Sequence, residues 1–142
     1  GDDDEIDWKR CADKIVTPTM KELVPTSWVT IEDDFVMFLM CQTSHISYDL
    51  HTSPASQLAD GVFHILMVPA ATTKLDLISI FLQMETGAHV THSGVRVIKA
   101  RAFRLLPLTD RGMYSLDGER IEYGAVQGHV LPHAARIIVG GE

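Results

Sequence analysis

The triplet Asp117-Gly118-Glu119 is the part of this sequence whose residue types and spacing could do chemistry. It lies between two short alternating runs, and Asp-Gly there favours a two-residue hairpin because a type I′ turn needs two positive φ angles. Carboxylates accept hydrogen bonds from ligand hydroxyl and amino groups, and a glycine lets a ligand approach the backbone closely. From spacing alone, a purely structural turn remains the simpler interpretation.

The other chemistry-bearing residues form no recognisable catalytic or metal motif. The chain has seven histidines without compact zinc spacing, and Cys11 and Cys41 form no metal-type pair. There is no glycine-rich strand–loop–helix motif for phosphate and no serine-elbow motif. We therefore expect neither a metal site nor a catalytic residue in this chain.

Composition narrows the classes of protein further. Hydrophobic residues make up 46% of the 142 residues, which is enough for a core and too many for a disordered chain. A net charge of −7 without a basic block argues against nucleic-acid binding. With no disulfide framework, no secretory signal and no apolar run near the roughly 20 residues that span a bilayer, we expect a cytoplasmic protein that can still touch a membrane surface.

The elements that must position the triplet are mainly short strands. The pattern predicts a mostly β fold with one or two helices, arranged as a β-sandwich, and a bend or bulge inside the longest strand. A weak helical pattern covers residues 8–15. The predicted strands are Ser27–Ile31, Phe35–Cys41, Gly61–Val68, Val95–Leu106, Ile121–Val130 and Arg136–Val139.

One strong helix is predicted from Thr73 to Glu85. Thr73 can cap its start with Asp76 as capping-box partner, and Gly87 suits the other end. Its apolar surface is wider than a single buried face needs. Either the helix is simply sandwiched, or one stripe packs on the sheet while the other faces a cavity. The two stripes are Leu77-Ile80-Phe81-Met84 and Leu75-Ile78-Leu82.

Several segments resemble, in order and spacing, motifs in the C-terminal region of sphingosine kinases. The similarity runs from about Val24 to the end of the chain. The segments are Trp28-Val-Thr-Ile-Glu-Asp-Asp-Phe-Val36, Ser44-His-Ile-Ser-Tyr-Asp-Leu50, Phe81-Leu-Gln-Met-Glu-Thr-Gly-Ala-His89, Ala102-Phe-Arg-Leu105, Leu116-Asp-Gly-Glu-Arg-Ile-Glu-Tyr-Gly124 and Val126-Gln-Gly-His-Val-Leu-Pro132.

This resemblance implies a part of a two-domain, ATP-dependent lipid kinase that converts sphingosine to sphingosine 1-phosphate. Residues 24–142 would be the C-terminal part of its antiparallel β-sandwich, which binds the lipid, and residues 1–23 an acidic tail or variable-loop remnant. The family's catalytic aspartate, its phosphate-binding segment and its head-group acid belong to an N-terminal part that this sequence lacks. We therefore expect the chain alone to be inactive, with ATP and Mg²⁺ bound mainly by the missing domain.

The resemblance also implies roles for individual residues. The triplet Asp117, Gly118 and Glu119 matches the family's nucleotide contact. The lipid-tail pocket would be lined by Leu77, Ile80, Phe81, Met84 and His89. Further candidates for the pocket, in segments that depart from the family's usual residues, are Ile46, Leu50 and Leu66. Peripheral membrane contact is a further implication of the family.

Two alternatives stay open at this point. A ceramide or diacylglycerol kinase also carries an acidic turn in its C-terminal region, although the Phe-Leu-x-Met-Glu-x-Gly-x-His helix end favours a sphingosine kinase. A non-catalytic lipid-binding module that uses the same sandwich is the second alternative.

Overall fold

Short strands dominate the chain, with one α-helix between the second and third of them. The computed structural model describes residues 17–135 and 138. The elements in chain order are β1 (Phe35–Cys41), β2 (Phe63–Pro69), α1 (Lys74–Gln83), a 3₁₀ turn (Ala88–Thr91), β3 (Arg96–Ala100), β4 (Ala102–Leu105), β5 (Tyr114–Leu116), β6 (Glu119–Ile121) and β7 (Val126–His129).

The main sheet has the order β1-β2-β3, and both strand pairs are antiparallel. Leu66 of the central strand lies opposite Leu39 on one side and Val97 on the other. Five successive residues of β2, from His64 to Val68, are buried. A strand that is covered on both faces has a continuous apolar run rather than an alternating pattern. From Ile65 to Val68, β2 has such a run.

Helix α1 covers one face of this sheet. Thr73 is its N-cap, and the Thr73 hydroxyl accepts a hydrogen bond from the Asp76 amide at 3.1 Å, as the sequence predicted. Gly87 does not end the helix as expected: the helix ends at Gln83 with Met84 as C-cap, and Gly87, with a φ of 77°, is the N-cap of the 3₁₀ turn. The core cluster between helix and sheet contains Leu66, Val68, Ile80, Met84 and Val95, with Met37, Leu39, Leu50 and Leu77 packed against it.

A second, two-stranded sheet is formed by β4 and β7. Side chains alternate along a strand, so Phe63 points away from the helix. Its ring contacts Phe103 of β4 edge-on, with ring centroids 5.5 Å apart. One aromatic contact therefore joins the β4–β7 pair to the main sheet on the side opposite the helix. The prediction of a mostly β, antiparallel fold with one helix is confirmed.

The long strand predicted at Val95–Leu106 is broken at Arg101, where the chain leaves the main sheet and enters the β4–β7 pair. The predicted bend is therefore the point where the chain changes sheets. The strand predicted at Ile121–Val130 is likewise divided into the end of β6 and β7.

The strand predicted at Ser27–Ile31 is wrong. The Trp28 amide donates to the Pro25 carbonyl at 2.9 Å, which closes a turn, and no strand partner follows among the described residues. The helical pattern at residues 8–15 and most of the strand predicted at 136–139 lie outside the described residues.

Residues 18–22 are fastened to the β4–β7 pair by two side chains. The Arg104 guanidinium donates to the carbonyls of Thr19 and Glu22 at 2.8 and 2.7 Å. The Gln127 amide group donates to the Pro18 carbonyl at 2.6 Å, and the Gln127 oxygen accepts from Arg104 Nε at 2.7 Å. This stretch belongs to the region that the sequence interpretation treated as a tail or loop remnant.

Candidate functional site

The acidic triplet lies at the tip of the β5–β6 hairpin. Leu116 pairs with Glu119, so Asp117 and Gly118 are the two turn residues. Their φ angles are 49° and 88°, which are the positive values of a type I′ turn. The predicted two-residue hairpin is confirmed. A β-carbon at Gly118 would meet no atom within 4 Å, so the turn geometry rather than crowding requires this glycine.

Both carboxylates of the triplet are exposed at this tip. Within the described part of the chain, neither Asp117 nor Glu119 has a side-chain hydrogen bond or an ion pair. Their oxygen atoms are therefore free to accept hydrogen bonds from a ligand. The open space around Gly118 lets a flat or bulky group approach the backbone between them.

An aromatic brace sets the direction of this hairpin at its base. The rings of Tyr114 and Tyr123 lie 4.8 Å apart, and the Tyr123 hydroxyl is 3.2 Å from the Thr109 hydroxyl. The Tyr123 ring also lies directly on Gly112, where an added β-carbon would overlap it. Burial, helped by the neighbouring Tyr123, raises the pKa of Tyr114, which keeps the phenol neutral.

Most of the residues proposed to line a lipid pocket lie in or against the core cluster. Leu66, Ile80 and Met84 are buried there, with exposed fractions of 3% or less, and Leu50 and Leu77 pack against them. The structure therefore brings these five residues together, although they come from a loop, a strand and a helix. In the described residues they contact each other and the sheet.

Phe81 and Ile46 are placed differently, because both are exposed at 53%. Phe81 lies on the outer side of α1, next to the second apolar stripe that the sequence analysis identified. All members of that stripe are exposed as well: Leu75 at 79%, Ile78 at 57% and Leu82 at 72%. The helix thus has one apolar side on the sheet and another facing outward.

A surface cleft of about 320 Å³ lies beside this outward side. Its lining joins two of the predicted lipid residues, Leu50 and Phe81, to residues that sequence reasoning did not select. The lining residues are Tyr48, Asp49, Leu50, Phe81, Leu82 and Glu85. The signal that could have found the cleft is the Tyr-Asp-Leu run at 48–50, where a polar loop ends on an apolar residue.

His89 is buried below the helix end, and its ring Nε2 lies 3.0 Å from the Thr52 carbonyl oxygen. The Thr52 hydroxyl in turn accepts a contact from the Cys41 thiol at 3.6 Å, and burial raises the pKa of that thiol. Nδ1 of the His89 ring has no partner among the described residues. The end of the predicted pocket stripe is therefore polar and closely packed.

A second buried histidine, His64, was not selected from the sequence. Its Nε2 lies 2.8 Å from Oδ2 of Asp60, four residues earlier. Burial raises the pKa of Asp60, but the Gln57 amide, His64 and the Val62 amide lower it more, so the net pKa lies below the ordinary value. The signal available was an aspartate placed just before a histidine that interrupts an apolar strand.

Neither a metal centre nor a membrane span is found in the described part of the chain. No group of three or more histidine, cysteine, aspartate or glutamate residues there could hold a metal ion. No helix there is both long and apolar enough to cross a bilayer. The exposed carboxylates of Asp117 and Glu119 could contribute to a nucleotide or Mg²⁺ site only together with groups from another part of a protein.

The similarity to known proteins extends over most of the chain. Sphingosine kinase 2 of Homo sapiens is 37% identical over 125 residues, which cover 87% of this chain and 19% of that protein. Sphingosine kinase 1 of Mus musculus is 34% identical over 124 residues, which cover 85% of this chain and 32% of that protein. Sphingosine kinase B of Dictyostelium discoideum is 28% identical over 112 residues, covering 77% of this chain and 15% of that protein.

The chain therefore spans about a third or less of the length of these relatives. The resemblance seen in the sequence, to the C-terminal portion of sphingosine kinases, is confirmed. The model of the YegS C-terminal NAD kinase beta sandwich-like domain matches residues 29–139. With its antiparallel sheets, its one helix and this match over most of its length, the chain belongs to the family of YegS C-terminal NAD kinase β-sandwich-like domains.

Proposed function

We propose that this chain is the C-terminal, lipid-binding part of an ATP-dependent sphingosine kinase. Such an enzyme transfers the γ-phosphate of ATP to the primary hydroxyl of sphingosine. The proposal is supported by the likeness to sphingosine kinases over more than four-fifths of the chain. The structural observation that carries it is the hairpin tip, where two free carboxylates flank an open glycine.

In this proposal Asp117 and Glu119 contact the nucleotide. Carboxylate oxygens accept hydrogen bonds from ribose hydroxyls or from the amino group of a base. Neither carboxylate has a partner among the described residues, so both can accept such bonds without breaking an existing one. The type I′ turn fixes the backbone of the tip without help from the ligand, which reduces the entropy lost on binding.

The lipid tail lies against helix α1 in this proposal. The candidates are the residues Leu77, Ile80, Phe81, Met84 and His89, together with Ile46, Leu50 and Leu66. Each methylene transferred from water into an apolar site contributes about 0.8 kcal/mol, so a long alkyl chain supplies most of its own binding energy. The outward-facing Phe81 and Leu82 provide apolar surface that the described sheet residues do not cover.

The phosphoryl-transfer groups are proposed to come from outside this chain. The catalytic residue, most of the ATP contacts and the Mg²⁺ ion, which would neutralise phosphate charge when bound, belong to a nucleotide-binding domain in this proposal. The chain alone is then inactive, and the complete enzyme is cytoplasmic with peripheral contact to a membrane that holds its substrate.

The test is a kinase assay on the protein encoded by the complete open reading frame. With radiolabelled ATP, sphingosine should become phosphorylated, while ceramide and diacylglycerol should not. The isolated 142-residue chain, assayed in parallel, should transfer no phosphate. Phosphorylation of ceramide or diacylglycerol in preference to sphingosine would replace the assignment with one of those lipid kinases. No lipid phosphorylation at all would favour a non-catalytic lipid-binding module.

A substitution at Phe81 tests the lipid part of the proposal in the same protein. Phe81→Asp should raise KM for sphingosine about tenfold or more, because a charge in an apolar site has no compensating partner. KM for ATP should stay the same. The residue is half-exposed, so thermal unfolding should change little. Phe81→Leu is the matched control, and normal sphingosine use by Phe81→Asp would remove this residue from the lipid site.

A further inference from the structure

Strands β4 and β7 hold both ends of the segment that contains the acidic hairpin. β4 ends at Leu105, β7 begins at Val126, and these two residues are register partners. The whole of segment 106–125 therefore leaves the β4–β7 pair and returns to it at one place. A two-stranded sheet needs further contacts to be stable, so the position of the hairpin depends on what holds this pair.

The neighbouring register pair, Arg104 and Gln127, binds a distant part of the chain, residues 18–22, which we call the strap. Across the two strands, Arg104 Nε donates to Gln127 Oε1 at 2.7 Å. The other two guanidinium nitrogens donate to the strap carbonyls of Thr19 and Glu22 at 2.8 and 2.7 Å. One side chain therefore joins the strap to both strands at the base of the hairpin segment.

The strap is held as a turn by its own hydrogen bonds. The Glu22 amide donates to the Thr19 carbonyl at 3.0 Å, and the Glu22 carboxylate accepts a hydrogen bond from the Thr19 amide. The Gln127 amide group donates to the Pro18 carbonyl at 2.6 Å. Since the turn already presents its carbonyls to the two side chains, docking the strap orders few further residues.

The strap lies on the face of the β4–β7 pair that points away from the main sheet. Side chains alternate along a strand, so Arg104 and its neighbour Phe103 point to opposite faces. The Phe103 ring contacts Phe63 of the main sheet, with ring centroids 5.5 Å apart. The β4–β7 pair thus contacts the main sheet on one face and the strap on the other.

We propose that Arg104 and Gln127 anchor the strap so that it holds the hairpin tip in the orientation that binds ATP. This inference rests on the proposed function and adds regulation of its nucleotide site. Arg104 is a positioning residue, because it contacts the strap and β7. With the strap released, the tip has to be ordered during binding, and that cost lowers the affinity for ATP. Any event that displaces the strap therefore weakens ATP binding.

The coupling between strap and nucleotide acts in both directions. If the docked strap strengthens ATP binding, bound ATP must stabilise the docked strap by the same factor. Lys21 reports the state of the strap, because its side chain is exposed and trypsin cleaves after lysine. A protease cuts a segment faster when that segment can leave the protein surface.

The first test is Arg104→Met in the full-length protein. Its Kd for ATP should rise about fivefold, with KM for sphingosine and kcat unchanged. Arg104→Lys keeps the charge but lacks the planar fork that reaches three acceptors, so it should resemble Arg104→Met. Arg111→Met, which removes an exposed positive charge from segment 106–125, should change none of these constants.

A milder variant, Gln127→Glu, covers the case in which Arg104→Met does not fold. A glutamate at this position still accepts from Arg104 but has no donor for the Pro18 carbonyl. Kd for ATP should rise about twofold, since one of the three hydrogen bonds to the strap is lost. An unchanged Kd for ATP in both variants overturns the inference.

Trypsin cleavage after Lys21 supplies a readout that does not depend on turnover. Without nucleotide, cleavage should be about tenfold faster in Arg104→Met than in the unsubstituted protein. Saturating ATP should slow it about fivefold in the unsubstituted protein and leave it unchanged in Arg104→Met.

Three outcomes overturn the inference, and they are distinguishable. ATP that binds without slowing cleavage after Lys21 removes the strap from the nucleotide site and leaves the proposed function intact. A lower melting temperature of Arg104→Met with an unchanged Kd for ATP gives Arg104 a purely structural role. If the unsubstituted full-length protein binds no ATP at all, the proposed function fails together with this inference.

Discussion

Helix α1 and the β5–β6 hairpin carry the two proposed binding roles, and they differ in what determines the role of each side chain. In the helix, Ile80 is fully buried and its neighbour Phe81 is half-exposed, although both are large and apolar. Their different surroundings come from the sheet on one side of the helix. In the hairpin, Asp117 and Gly118 adopt their conformation through local turn chemistry alone.

This difference separates residues that support the fold from residues that are free to bind a ligand. The buried side of α1 shares the core cluster with β2, so a change there alters stability first. The Glu119 side chain at the hairpin tip has no packing role, so removing its carboxylate should alter ligand binding without altering stability. The following substitutions test that separation.

The largest effect is expected from Ile80→Ala. Removing a fully buried isoleucine side chain leaves a cavity between helix and sheet and should lower the free energy of unfolding by about 2–5 kcal/mol. Ile78→Ala is the matched control on the exposed side of the same helix, and its effect should stay within about 0.5 kcal/mol. Urea unfolding of the full-length protein measures both. Equal losses for the two variants would show that both sides of the helix are covered in the complete protein.

A smaller effect is expected from Gly112→Ala at the base of the hairpin. The new β-carbon would overlap the Tyr123 ring, and displacing that ring should lower stability by about 1–3 kcal/mol. Because the ring braces the hairpin, KM for ATP should rise as well. Gly124→Ala is the control, since a β-carbon there meets no atom within 4 Å. An unchanged KM for ATP in Gly112→Ala would show that the position of the Tyr123 ring does not affect the nucleotide contact.

The features that sequence reasoning predicted correctly are those decided by local chemistry. The Asp-Gly turn, the Thr73 cap and the apolar run of β2 depend on neighbouring residues, and all three are present in the structure. The break of the long strand at Arg101 was predicted as a bend because the face pattern changes within it. A change in which face of a strand carries the apolar residues can therefore indicate where the chain changes sheets.

The features that were wrong or missed depend on contacts distant in the sequence. A β-type run at Ser27–Ile31 begins in a turn closed by the Pro25 carbonyl and forms no strand. The hydrogen bonds from Arg104 and Gln127 to residues 18–22 span more than 80 positions. No local sequence pattern at the donors or at the acceptors predicts them. The division of α1 into a buried and an outward side likewise needs the sheet.

Glu119→Ala should separate binding from stability most clearly. Losing one hydrogen bond to the nucleotide should raise KM for ATP about two- to tenfold in the full-length protein, with KM for sphingosine unchanged. The unfolding free energy should stay the same, because the side chain has no partner among the described residues. Glu122→Ala removes an exposed acid just beyond the same hairpin and should leave KM for ATP unchanged.

An unchanged KM for ATP in Glu119→Ala would contradict the nucleotide role of this carboxylate. A parallel rise in Glu119→Ala and Glu122→Ala would show instead that only the overall negative charge of the hairpin matters. Asp117 can then be tested as Asp117→Asn, which keeps the turn residue's size and its tolerance of positive φ.

The smallest effect is expected from the pair formed by half-buried Asp60 and buried His64, and it depends on pH. The pKa of Asp60 is lowered in the folded protein, so its stabilising contribution is present above the unfolded value of about 3.9 and is lost as the pH falls through the folded pKa. Asp60→Asn should therefore lower stability at pH 7, and the deficit should shrink as the pH falls below about 4. Asp110→Asn, at a carboxylate that is 94% exposed, should produce no such pH-dependent difference.

Urea unfolding at a series of pH values measures this contribution, and its result bears on the comparison of the two regions. If the loss of unfolding free energy in Asp60→Asn is constant from pH 7 to about pH 3, the charge of Asp60 does not contribute to the stability of the pair. A deficit that follows the titration would show that the fold itself uses one paired carboxylate, Asp60, close to the core. The unpaired carboxylates of Asp117 and Glu119 would then differ from it in kind, because folding gives them no partner among the described residues and leaves them to a ligand.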